Sequence, residues 1–189
     1  MNRLIAVLIS AALATVVFAQ NIKPVTVRVS STPVSKALYS LFDQMGVRYQ
    51  ILSGVKGNVT VDATRADSTE VMFDILNQVD AISEFRNGVY VIRPMRRSRP
   101  VQSGQFNAND IVSVVYENAD IRLVAKELLG QSGFRYNASN DVRGVVFAAM
   151  RNVRMGEALK VLLSQVDSTY AVAGGKIQIM RRSVATPGG

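Results

Sequence analysis

Cysteine, histidine and tryptophan are all absent from the 189-residue chain. Without cysteine there is no disulfide and no thiolate chemistry. Without histidine, the usual general base near neutral pH and the commonest metal ligand are gone, and no serine triad can be completed. A phosphate-binding glycine loop, a dinucleotide fingerprint and clustered metal-ligand spacings are missing too. These absences point away from an enzyme, so no catalytic residue, metal site, cofactor or small-molecule substrate is expected. The lack of disulfides leaves the compartment open.

The N-terminus addresses the compartment. MNRLIAVLISAALATVVFAQ places Arg3 before a run of about fifteen almost wholly apolar residues, then small residues where a signal peptidase reads. The run is short for a bilayer span, which needs about 20 residues. A secretory signal over 1–19 is expected, cut between Ala19 and Gln20, with an uncleaved anchor as the alternative. The chain is then exported, to the periplasm, and peripheral to membranes.

What is abundant is repetition. GVRYQILSGVKG at 46–57 returns as GFRYNASNDVRG at 133–144, and the two stretches lie 87 residues apart. The same offset aligns 25–94 with 112–181 without a gap. It matches Leu41 with Leu128, Gly46 with Gly133, Tyr49 with Tyr136, Gly57 with Gly144, Leu76 with Leu163 and Gly88 with Gly175. Two copies of one module read as a pair of small domains, since a solenoid needs at least three repeats.

Within each copy the apolar period changes along the chain. Val34, Ala37, Leu38, Leu41, Phe42 and Met45 line one helix face, as do Ile121, Val124, Ala125, Leu128 and Leu129. Thr32-Pro33 supplies an N-cap with proline at the first helical position, and Asp120 caps the second copy. Gly46 and Gly133 stop these helices. A second helix carries Met72, Ile75, Leu76 and Val79, or Leu159, Leu162, Leu163 and Val166. Asp67 with Glu70 forms a capping box, whereas Arg154 is a poor cap for the second copy. Period-two runs fill the rest, with Asn87-Gly88 and Gly174-Gly175 at hairpin turns. The expected fold is α+β: two tandem domains, each β-α-β-β-α-β-β, with two helices packed on small sheets. They occupy 25–94 and 112–182, joined by a basic linker at 95–111 and followed by a flexible tail at 183–189. Each copy is expected to form its own core, supported at this size by contacts with its neighbour.

The second copy, YENADIRLVAKELLGQSGFRYNASNDVRGVV followed by RNVRMGEALKVLLSQVD, resembles the short N-terminal domain of secretins and TonB-dependent transducers. Asn118–Arg122, Gly133, Asp141–Gly144 and Glu157–Leu159 carry the likeness. Copy one is more diverged but keeps Gly46, Val55 and Gly57. The resemblance implies a periplasmic interaction domain that docks partner proteins in secretion or pilus assembly near the outer membrane. No barrel-length series of strands follows copy two, so a pore or transport role is not expected. What carries over is a non-enzymatic adaptor with an envelope or secretion-system partner, and homo-oligomers are possible.

Charge opens an alternative reading. Residues 25–94 hold 7 basic and 7 acidic side chains, while 112–181 hold 9 and 6, and the whole chain carries +8. Arg96, Arg97 and Arg99 in the linker are candidate contacts for a polyanion such as DNA, anionic lipid or cell-wall polymer, or simply a solvated linker. Arg48 and Arg135 recur beside Tyr49 and Tyr136. If each tyrosine points inward, each arginine is exposed, as a partner contact or as an inherited surface residue. Glu70 and Asp80, like Glu157 and Asp167, stand about 15 Å apart along a helix, too far for a catalytic carboxylate pair. The glutamates complement the helix dipole, and the aspartates adopt left-handed geometry at helix ends. Gly54–Gly57 imitates the GXXG loop of KH domains, but it joins strands where that loop joins helices, so no RNA site is expected.

The copies also differ. Val89, Tyr90, Val91 and Ile92 make a strand apolar on both faces, against Lys176, Ile177, Gln178 and Ile179. Val145 and Phe147 stand where copy one has Asn58 and Thr60. A strand apolar on both faces needs cover on both. Val89, Val91, Val145 and Phe147 are therefore candidate contacts between copies or with a partner, with a local extension of the core as the alternative.

Overall fold

The computed structural model describes residues 23–96, 107–130 and 134–182. The signal segment with Ala19 and Gln20, Arg97 and Arg99 of the linker, Gly133 and the tail lie outside them. The first unit runs β1 (Pro24–Pro33), α1 (Val34–Met45), β2 (Arg48–Ile51), β3 (Asn58–Asp67), α2 (Ser68–Gln78), β4 (Ala81–Arg86) and β5 (Val89–Pro94). The second runs β6 (Ile111–Asp120), α3 (Ile121–Gly130), β7 (Tyr136–Ala138), β8 (Val145–Arg154), α4 (Met155–Ser164), β9 (Ser168–Ala173) and β10 (Lys176–Arg181). The fold is α+β in two sheet-and-helix units with the expected element order. Strand β6 begins at Ile111, inside the stretch expected as linker.

Each unit has a long antiparallel ribbon, β1–β3 or β6–β8, and a three-stranded sheet, β2-β5-β4 or β7-β10-β9. The repeat extends to register. Val27 faces Ala63 as Val114 faces Met150, and Tyr49 lies beside Tyr90 as Tyr136 lies beside Ile177. Even the irregularities recur. Both ribbons slip after their second strand residue and again before their ends. Ser31 and Asn118, with φ of 45° and 51°, and Arg65 and Asn152, at 50° and 54°, take the left-handed residues there. Such bulges bend the ribbons so that one face wraps the helices.

The repeated glycine turn has a definite job. The Val34 N–H donates to the Gly57 carbonyl at 2.9 Å, and the Ile121 N–H to the Gly144 carbonyl at 3.0 Å. Each turn thereby satisfies an orphan donor at the start of its unit's first helix. Pro33 is the N-cap of α1 and not its first helical residue, and no side chain caps that start. Asp120 accepts from the Arg122 N–H at 2.8 Å, as expected of a cap. Asp67 likewise accepts from the Thr69 N–H at 2.7 Å. Arg154 offers no cap, and α4 borrows backbone instead: the Met155 and Gly156 N–H groups donate to the carbonyls of Asp110 and Ala108. Asp80 and Asp167 both have φ of 49°, and both hairpin pairs are left-handed throughout, as a type I′ turn requires.

Leu38, Leu41 and Phe42 of α1 and Ile75 and Leu76 of α2 meet Ile92 of the sheet, all essentially inaccessible, while Ile82, the register partner of Arg93, is buried on the opposite face of that sheet. Leu128, Leu129, Leu162, Leu163 and Ile179 do the same in the second unit. The two interiors are not separate, contrary to the sequence expectation. Their buried apolar side chains form a single continuous cluster, because β4 packs along β6 and α2 and β4 pack on α3.

Candidate functional site

The seam between the units is lined with charge that finds partners across it. Arg93 on β5 is the centre. Its guanidinium donates to Glu127 of α3 at 2.6 and 3.1 Å and to Glu84 of β4 at 2.9 and 3.1 Å. Both glutamates are buried, and Glu84 also pairs with Arg86. Glu127 accepts in addition the Arg96 N–H at 2.6 Å and the Tyr116 hydroxyl. A second group sits on α2 and α3. Arg122 bridges Asp120 at 2.6 Å and Glu70 at 2.9 Å, and its guanidinium lies 3.7 Å above the Phe73 ring. Glu70 thus reaches across to the other unit, where it also meets Arg143 at 3.1 Å. Lys126 closes the seam on Asp80 and Asn77.

Tyr116 gives a pH handle on this seam. Burial first, and then the neighbouring Glu127 carboxylate, push its phenol well above the ordinary tyrosine value. The folded state therefore holds that proton more tightly than the unfolded state. Its contribution is complete below about pH 10, where an unfolded tyrosine titrates, and fades as pH rises further. Tyr90, Tyr136 and Tyr170 are shifted the same way by burial. Stability measured by denaturant is expected to fall from pH 9 to 11, and less steeply in Tyr116→Phe. An equal fall in both proteins would exclude Tyr116 as a source.

Beside the seam opens a cleft of about 440 Å³, lined by Glu70, Arg122, Tyr136, Asn137, Ser139 and Arg143, among others. Its arginines are already bound to carboxylates. Among the described residues no group of three acidic, histidine or cysteine side chains could hold a metal.

The residues singled out from sequence fall in different places. Strand alternation puts Val89 and Val91 on the face of β5 that carries Arg93, turned to the seam, and both are half-buried. Val145 lines a cavity of about 20 Å³ between the units, with Thr69, Met72, Ser83 and Tyr90 of the first and Asn118 and Asp120 of the second. Phe147 is not there: it is 57% exposed on the outer face of the β6–β8 ribbon. Arg48 and Arg135 are exposed, while Tyr49 and Tyr136 are half-buried and Tyr49 stacks on Phe42 at 4.8 Å. Arg96 is exposed, though its backbone is held by Glu127.

Sequence reading missed how the strand edges are managed. The Gln44 side chain accepts from the Thr26 N–H and donates to the Thr26 carbonyl, both at 2.9 Å. Gln78 does the same to Thr60, and Gln165 to Phe147. Three helix-borne amides thus occupy the backbone of β1, β3 and β8 and block strand addition there. The retained glutamine at 78 and 165 was the visible signal. Strand β9 has no such guard among the described residues. It ends its sheet, and its sequence STYAVA carries neither charge nor proline. Its counterpart β4 is buried beneath the second unit, whereas Ala171, Val172 and Ala173 are exposed.

No protein-family model matches the chain, and no curated protein or solved structure matches it either. No helix among the described residues is long and apolar enough to cross a membrane.

Proposed function

We propose that the chain is an exported, non-enzymatic adaptor of the cell envelope, built from two domains of the secretin and TonB short N-terminal kind. In this reading it works in the periplasm, in an outer-membrane secretion or pilus-like system, and docks a partner protein by adding a strand to β9. The supporting observation is the contrast at one structural position: β4 is covered by its neighbour, while β9 has an uncharged edge that none of the described residues covers. Strand addition uses backbone groups already displayed and takes its specificity from alternate side chains. The seam makes the two units one stiff platform behind that edge.

The test is affinity capture from envelope extract, with the captured protein identified. Val172→Lys puts a charge on the edge without touching the core, and is expected to weaken capture about tenfold or more. Phe147→Thr, on the other face of the unit, is expected to leave it intact. Equal capture by wild type and Val172→Lys removes β9 as the docking edge.

A further inference from the structure

The outer faces of the two ribbons have the same backbone and opposite chemistry. In the first unit that face carries Pro24, Arg28, Thr60 and Asp62, with Asp74 of α2 beside it. Arg28 is paired with Asp62 at 3.3 Å and hydrogen-bonded to Thr64. At the equivalent positions the second unit has Ile111, Val115, Phe147, Ala149 and Val161. Ile111 is 62% exposed, Phe147 57% and Val161 48%. Gln165 ties this group together, since it holds the backbone of Phe147 and also reaches the Val161 carbonyl. None of these side chains is needed by the fold, because copy one folds with a proline and four polar residues in their place.

Cations accompany the apolar residues. Arg154 is the register partner of Ile111, and alternation places Arg151 on the same face as Ala149 and Phe147. Both arginines are exposed, and neither enters an ion pair among the described residues. Their counterparts in copy one are Thr64 and Asp67. Glu117, on the neighbouring strand, is drawn to Arg86 at 3.4 Å, a cation it shares with Glu84. Relative to copy one, this face has lost three aspartates and Arg28, and gained two arginines without an ion pair among the described residues and four large apolar side chains.

We infer that the outer face of the β6–β8 ribbon, with Val161 of α4, docks on an anionic lipid surface. Separate apolar tips projecting from a ribbon enter the headgroup and acyl boundary without needing a shape-matched pocket. Arginines at their flank meet lipid phosphates while their stems stay against the apolar layer. An acidic protein partner would need a groove shaped to take these side chains, whereas a lipid surface takes them as they stand, exposed. The lipid contact is independent of the β9 edge and leaves that edge free for a protein partner.

The probe is vesicle co-sedimentation of the full chain with phosphatidylglycerol in phosphatidylcholine, against phosphatidylcholine alone. Every variant keeps the same N-terminal residues, so differences between variants read the face. The substitutions install copy-one residues, which this backbone is known to accept: Phe147→Thr with Val161→Asp, and Arg151→Thr with Arg154→Asp. Tighter binding to the anionic vesicles is expected. The first pair should lose about tenfold in affinity, and the second about fivefold per arginine on anionic vesicles, with little change on neutral ones. Unaltered melting curves show that folding is retained. Wild-type binding by both pairs overturns the inference. So does a failure to bind vesicles at all, and if the same pairs then abolish capture of an acidic protein, the face belongs to that protein.

Discussion

Arg93→Met is expected to lower the unfolding free energy by about 3–5 kcal/mol, the range found when one partner of a buried ion pair is removed. The side chain is 12% exposed and serves two carboxylates that are 1% and 0% exposed. Without it, Glu84 keeps only Arg86, and Glu127 keeps the Tyr116 hydroxyl and the Arg96 N–H. One negative charge is then stranded in the seam. The network is costly to break but need not be strongly stabilising as a whole, because desolvation offsets most of the attraction within it. Adding Glu84→Gln and Glu127→Gln to Arg93→Met removes the stranded charge and keeps acceptors for Tyr116 and Arg96. That triple variant is expected to be more stable than the single one despite carrying three changes. Denaturant titration at neutral pH decides the matter. A single variant within about 1 kcal/mol of wild type, or a triple variant weaker than the single, would contradict this view of the seam.

The residues of the seam explain why it was hidden in the sequence while the units were not. The units are written in periodicity, and periodicity is local: the spacing of Leu38, Leu41 and Phe42 specifies a helix face whatever lies beside it. The glycine turns and hairpins are local as well, so Gly57, Gly144 and both type I′ pairs could be placed from sequence. Glu127 could not. On a one-dimensional reading, a glutamate next to Leu128 is a solvated charge, and its burial depends on Arg93, which is 34 positions earlier. Arg122 and Glu70 are 52 apart and pose the same problem. The ribbon bulges escaped because Ser31 and Arg65 are poor indicators of left-handed backbone, although Asn118 and Asn152 at the same positions are better ones.

A usable signal lay in the differences between the copies. Positions where a duplicated fold keeps its backbone and changes its chemistry are positions whose surroundings changed. Glu84, Arg93 and Glu127 correspond to Ala171, Met180 and Ser40, because only the first set is enclosed between units. Ile82, Val89 and Val91 correspond to Thr169, Lys176 and Gln178, so the sheet face that ends the tandem has been made polar where the inner one is covered. Phe147 and Val115 reverse the direction, apolar on an outer face, and that reversal is what separates a binding surface from a solvated one. Val145 and Phe147 could be picked from sequence together. Only the fold divides them, because the neighbouring unit covers Val145 and leaves Phe147 exposed.

The places where the copies do not differ make the second large prediction. Gly144 has φ of 130°, and a Cβ built there would stand 2.7 Å from a Val166 methyl carbon. Gly57 has the same φ, with the Val79 methyl at 3.0 Å. Alanine at either site meets two separate penalties. Backbone strain at such a φ costs about 1–3 kcal/mol, and forcing a methyl into packed space costs about 1–3 kcal/mol more. The turn cannot easily move aside, since its carbonyl holds the first N–H of the unit's leading helix at 2.9–3.0 Å. Gly144→Ala is expected to cost about 3–5 kcal/mol, and Gly57→Ala less, in the order of the two contact distances. Val166→Ala removes the colliding methyl but not the strain. In the double variant, the loss should fall short of the sum of the single losses by about 1 kcal/mol or more. If the two losses add fully, the collision is absent and φ alone keeps the glycine. If Gly144→Ala is neutral, the shared GVKG and VRG turns lose their physical reason for recurring, because nothing else in either turn requires the missing side chain.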